Sequence, residues 1–211
     1  FVSHLDFLRM LHRFLLSSDL PVCYSQGYNP HPKTSFCPPF GLGIEAENEY
    51  FEVILSERIH PNDVLENLNR FNIKGLKFHF CVRENDLFIF PKESPLAELY
   101  KKKRFLPNSK CEKEEITVYL EFNSILTQKS AQDLIKKFYT AQNWIIQKNK
   151  KGTLKDFDLK LLIKDISLNQ NELTIIKNIV GVNVFDILES FFNISRNEAG
   201  IFRIIRKNLI F

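Results

Sequence analysis

Leu5, Leu8, Leu11, Phe14 and Leu15 recur at the three-and-four spacing of one helix face. Ser3 stands ahead of them as an N-cap and Asp6 in the position of a capping-box acid, so the pattern predicts a helix from about His4 to Ser18 with Asp6, Arg9 and Arg13 on its polar face. Asp19-Leu20-Pro21 ends it, and Val22-Cys23-Tyr24 reads as a short extended segment. Further on, Phe51, Val53 and Leu55 alternate as a strand, Pro61 to Phe71 has helical spacing with proline at the first position, and Leu76, Phe78, Phe80 and Val82 alternate again.

The second half repeats the alternation. Ile116, Val118, Leu120 and Phe122 predict a strand, and Ala131, Leu134, Ile135 and Phe138 a helix. Trp144-Ile145-Ile146 is apolar ahead of a Lys150-Lys151-Gly152 turn, and residues 159–168 read as extended or partly helical. Leu173, Ile175 and Ile176 follow as a strand, then a helix through Val184, Leu188, Phe191 and Phe192, and a last strand over Ile201 to Ile205. The expected fold class is α+β: two tandem ferredoxin-like units (β-α-β-β-α-β) with antiparallel sheets, the first lacking its opening strand. Residues 1–90 form the first lobe, 91–115 a basic linker with Pro91, Pro95 and Pro107, and 116–211 the second lobe. Because Phe1 is not an initiator methionine, the missing strand is expected upstream of it or from a neighbouring segment, since an unfilled sheet edge leaves backbone groups unpaired.

Between the first helix and the first clear strand the backbone punctuation is concentrated. Five of the nine prolines lie between Pro21 and Pro39, and three of the seven glycines between Gly27 and Gly43. Proline fixes φ and glycine permits positive φ, so Tyr24-Ser25-Gln26-Gly27-Tyr28-Asn29-Pro30-His31-Pro32-Lys33 is expected to be a stiff, shaped loop that presents its polar groups. Turn shaping accounts for Asn29 and Gly27, and capping for Ser3 and Asp6. Neither explains an amide, an imidazole and an ammonium (Gln26, His31, Lys33) on one short arc.

The net charge of +4 is unevenly spread. Residues 1–90 carry 8 Lys/Arg against 11 Asp/Glu, and residues 116–211 carry 14 against 9. The basic second half, the Lys101-Lys102-Lys103-Arg104 run, and Lys150 and Lys151 form a candidate nucleic-acid patch, set against the plainer reading of a lysine-rich solvated surface. Cys23, Cys37, Cys81 and Cys111 show no C-x-x-C spacing, so free thiols are expected and no metal site. The absence of an apolar run long enough for a membrane span, and of a leader pattern, predicts a cytoplasmic protein that meets no membrane.

Phe1-Val2-Ser3-His4-Leu5-Asp6-Phe7-Leu8-Arg9, followed by Leu20-Pro21-Val22-Cys23 and the loop to Lys33, resembles the radical-SAM-linked domain, a bacterial family of unestablished activity encoded beside or fused behind radical SAM proteins. The resemblance continues through Gly43-Ile44-Glu45-Ala46-Glu47 and Glu49-Tyr50, and so covers about the first quarter of the chain. It implies a radical SAM protein as partner. S-adenosylmethionine and an iron-sulfur cluster are expected only in that partner, because this chain lacks the tight cysteine triplet and so holds neither cofactor.

Three functions follow as expectations. The first is an accessory or substrate-recognition domain for a radical SAM modification enzyme, binding RNA or another anionic substrate through His4, Asp6, Arg9, Tyr24, Ser25, Gln26, Gly27, Asn29, His31 and Lys33. The second is a stand-alone hydrolase or RNA-cleaving enzyme in which His4 or His31 works beside Asp6. The third is a structural domain whose loop grips the radical SAM partner. No residue is assigned a catalytic role, and a non-catalytic partner is favoured over an enzyme.

Overall fold

The computed structural model describes residues 3–83, 111–123, 126–150 and 152–210. Its elements in chain order are α1 (His4–Ser17), β1 (Thr34–Phe36), β2 (Glu45–Ala46), β3 (Phe51–Val53), α2 (Pro61–Asn69), β4 (Lys113–Tyr119), α3 (Gln128–Thr140), β5 (Ile145–Lys150), β6 (Thr153–Asp158), α4 (Leu159–Leu162), β7 (Ile163–Asn169), β8 (Glu172–Asn178), α5 (Val184–Phe192), α6 (Arg196–Ala199) and β9 (Arg203–Ile210). The molecule is a mixed α+β protein with several antiparallel and mixed sheets.

Among the described residues, 3–39 and 50–83 form one compact unit, and 40–49 with 111–210 form the other. The chain therefore leaves the first unit at Pro39, contributes ten residues to the second, and returns.

In the first unit α1 and α2 lie against a two-stranded antiparallel sheet of β1 and β3. Leu11, Phe14, Leu15, Leu20, Val22, Val64 and Leu68 are its buried core. The periodicity places both helices within about two residues. Residues 76–82, which alternate like a strand, run without a ladder among the described residues. The Asn69 side chain, at the last position of α2, instead pairs with both backbone groups of Phe78, at 2.8 and 3.0 Å.

The second unit holds a five-stranded sheet in the order β2-β9-β4-β8-β7. From β9 to β7 all neighbours are antiparallel, while the two-residue β2 adds to β9 in parallel. α3 and α5 pack their apolar stripes on one sheet face with Ile116, Val118, Leu173, Ile175, Ile166 and Ile204. Residues 145–158 form a separate hairpin of β5 and β6, turned at Gly152, whose φ of +82° suits a glycine.

Candidate functional site

The loop predicted from its prolines and glycines is closed at its base by the backbone. The Ser25 N–H donates to the His31 carbonyl at 2.8 Å, and the His31 N–H donates to Ser25 Oγ at 3.0 Å. One step lower the Lys33 N–H donates to the Cys23 carbonyl, while Cys23 N–H and Ile54 C=O join the loop to the strand side of the unit. Gln26, Gly27, Tyr28, Asn29 and Pro30 form the tip, every one exposed, with Gly27 at φ +133°, where a side chain would strain the backbone. Tyr28 is fully exposed at 106 % and Tyr24 borders on exposure at the base.

The loop meets α1 at its middle. The rings of His12 and His31 are nearly parallel, 24° apart, with centroids 6.3 Å from each other. His12 Nε2 lies 3.1 Å from Thr34 Oγ1 on β1, and Phe36 packs near the same imidazole at 6.3 Å. Burial holds the His12 imidazole below its ordinary titration range, and the neighbouring His31 charge pushes the same way. His12 sits at the edge of the apolar stripe, one position past buried Leu11, and so lacks the polar clustering that marks the loop. A helical wheel carries that signal, since position 12 falls between the buried and the exposed faces.

The remaining predicted residues divide into two sets. Ser25, Gln26, Gly27, Asn29, His31 and Lys33 share the loop with Tyr24, and Lys33 is exposed two residues from His31. Asp6 and Arg9 stand on the exposed face of α1 and bind each other at 3.0 Å. The Ser3 hydroxyl donates to Asp6 at 2.6 Å and, ahead of Arg9, holds its carboxyl below the usual carboxylate range. His4 is half-buried two turns before His12, which corresponds to about 12 Å along the helix axis. The contact between helix and loop thus runs through His12, while the acid of the helix start is engaged locally. Lys101, Lys102, Lys103, Arg104, Lys151 and the side chain of Lys150 lie outside the described residues.

A second concentration of charge occupies the second unit. Lys177 and Arg206, each 1 % exposed, both reach Glu114, at 2.7 and 3.3 Å, and Arg206 also binds Glu49 and stacks on Phe40 at 4.9 Å. Glu45 and Glu47 pair with Arg203 and Lys207 alongside. Burial pushes the Glu49 carboxyl up in spite of Arg206. Here the cations of β9 are spent on the acids of residues 45–49. Near the hairpin a cleft of about 260 Å³ is lined by Ile146, Gln147, Lys148, Asp186, Glu189 and Ser190, with Lys148 and Asp186 paired inside it.

Cys37 and Cys111 are buried and Cys23 and Cys81 half-buried, all as free thiols. Among the described residues no three His, Cys, Asp or Glu side chains converge as a metal site would need, and no helix is long and apolar enough to cross a membrane.

Fold and site together define a mixed α+β protein whose candidate surface is a closed loop docked on a helix through paired histidines. The chain belongs to a family of uncharacterized proteins conserved in bacteria (DUF2344), whose model matches residues 1–189. No curated protein and no solved structure matches it.

Proposed function

We propose that this protein is a recognition domain whose first unit binds RNA or another anionic substrate, on behalf of a radical SAM modification enzyme in the bacterial cytoplasm. The observation that carries the reading is the loop tip. A backbone-closed turn holds Tyr28 entirely in solvent, where an aromatic side chain costs solvation unless a ligand stacks on it. Arg9, Arg13 and Lys33 are exposed cations on the two elements that meet at His12 and His31, and cations flanking an aromatic suit a phosphate backbone carrying unstacked bases. The radical SAM partner rests on the resemblance of residues 1–50. The strand order β9-β4-β8-β7 with α3 and α5 supports a ferredoxin-like reading of the second unit.

The test is a titration of labelled single-stranded RNA at several salt concentrations. Binding should weaken with salt, and Tyr28→Ala should weaken it by about tenfold, the lower part of the range for one lost base stack. Absence of binding, indifference to salt, or an unchanged Tyr28→Ala overturns the reading.

A second reading, an RNA-cleaving or hydrolytic enzyme, has the His12–His31 pair in its favour, since two neighbouring imidazoles can serve as acid and base. Cleavage of the same RNA by the purified chain, lost in His31→Ala, would establish it.

A further inference from the structure

The half-buried imidazole of His12 on α1 and the exposed one of His31 in the loop face each other almost in parallel. Two imidazoles this close resist being charged together, because each cation raises the energy of the other. The groups around them add to that resistance. Arg9 and Arg13 stand on α1 at the third position before His12 and directly after it, and Lys33 lies two residues beyond His31. From the packed strands His12 faces Thr34 and Phe36, which are neutral. Glu52 on β3 is paired in register with Ser35, one position from Thr34, and Tyr24 and Cys23 lie at the loop base. The Asp6 carboxylate is already bound by Ser3 and Arg9.

We propose that His12 and His31 form a proton-dependent seat for a phosphate group, which both rings clasp once they are protonated. The inference rests on the proposed recognition function and names the chemistry and the regulation of its central contact. A phosphate bound along the edges of the two rings, in whose planes the imidazolium N–H groups lie, supplies negative charge to both, so anion and protons bind together. Thr34 positions the His12 ring through Nε2, and the closed base of the loop positions His31. By linkage, affinity rises as pH falls, by at most about tenfold per pH unit for each proton taken up with the phosphate. Without the anion the sign reverses. A histidine held below its ordinary range favours the neutral form in the folded state, so stability from this group is full above the unfolded value and is lost as pH falls through the folded one.

A short oligouridylate and inorganic phosphate serve as probes, at fixed ionic strength, between about pH 7.5 and about pH 5.5, a range that brackets the ordinary imidazole value. Oligouridylate affinity should rise toward the acid end with net proton uptake, seen as a dependence of binding heat on the buffer used. His31→Phe keeps a ring beside His12 and should remove the pH dependence while leaving the salt dependence. His12→Gln keeps a group able to bond Thr34 and should do the same. A rise seen with inorganic phosphate also identifies a seat for the free anion, and a rise confined to oligouridylate identifies one for a phosphodiester. Salt-dependent binding that ignores pH, or a pH slope surviving in His31→Phe, overturns the seat and leaves the recognition function standing. Failure of oligouridylate to bind at any pH removes both.

Discussion

Lys177 shows how a residue that looks like surface charge becomes structure. In the sequence it is one more lysine in a lysine-rich half, yet it is 1 % exposed and its Nζ is divided between Glu114, at 2.7 Å, and the carbonyl of Asn178. The strand register places Glu114 directly opposite Lys177, with Ile116 opposite Ile175 next along. The helix-covered face thus passes from an apolar middle to a charged end. Taking one partner from a buried pair leaves the other uncompensated, which costs far more than the pair itself contributes. Lys177→Met should therefore destabilise the protein by about 3–5 kcal/mol in urea unfolding, and Lys177→Met with Glu114→Leu should recover most of that loss. A double variant no better than the single would show that the pair is not what holds this end of the sheet. None of this is visible in the sequence, because strand periodicity reports which face a residue takes and not which neighbour it meets. The helical wheel puts His12 at the border of the apolar stripe but not beside His31, whereas the loop is marked locally because proline and glycine act on their own backbone.

At the scale of elements, local pattern and observed structure agree where an element buries its own stripe. α1, α2, α3 and α5 start at caps that the chain writes next to them: Ser3, His60, Thr127 and Asn183 each accept a backbone N–H. Strands depend on partners. Residues 76–82 have the alternation of a strand without a described ladder, and Glu45–Ala46 have almost no pattern yet join β9 some 160 positions away. The outer edge of β7 needs protection from further pairing, and Tyr139 supplies it from α3. Its hydroxyl accepts the Ile166 N–H at 3.0 Å and lies 2.7 Å from Asp165, and burial followed by that carboxylate holds the phenol above its ordinary range. Tyr139→Phe should cost about 1 kcal/mol, the net worth of an ordinary hydrogen bond. It should also raise the tendency to associate in sedimentation measurements. Unchanged stability and association would show that the edge is guarded by other means.

Across the whole molecule the arrangement of units redistributes charge. Among the described residues the first unit carries 8 Lys/Arg against 6 Asp/Glu, and the second 14 against 15. Among the described residues the basic surplus of the second half vanishes once Glu45, Glu47 and Glu49 are counted with Glu112, Glu114 and Glu115 in the same unit, so charge there favours the first unit as the anion-binding one. The cores also differ. The second unit surrounds α3 and α5 with fully buried strand residues, while in the first Phe36, Phe51 and Phe78 are only partly covered. Local opening follows burial and hydrogen-bond density. Amide exchange should therefore be slowest in β4, β8 and β9 and faster by orders of magnitude in β1 and β3. Equal protection in the two sets would contradict the ranking.

Periodicity, capping and backbone restriction, each acting within about ten residues, set the helices, the central strands of the second unit and the closed loop. Long-range contacts place residues 40–49 with the second unit, set their acids on the cations of β9, and bring the loop against His12. Those outcomes are pairings between distant segments, chosen by register, by desolvation and by the need of buried charge for a partner. A single chain read in order carries no term for any of them.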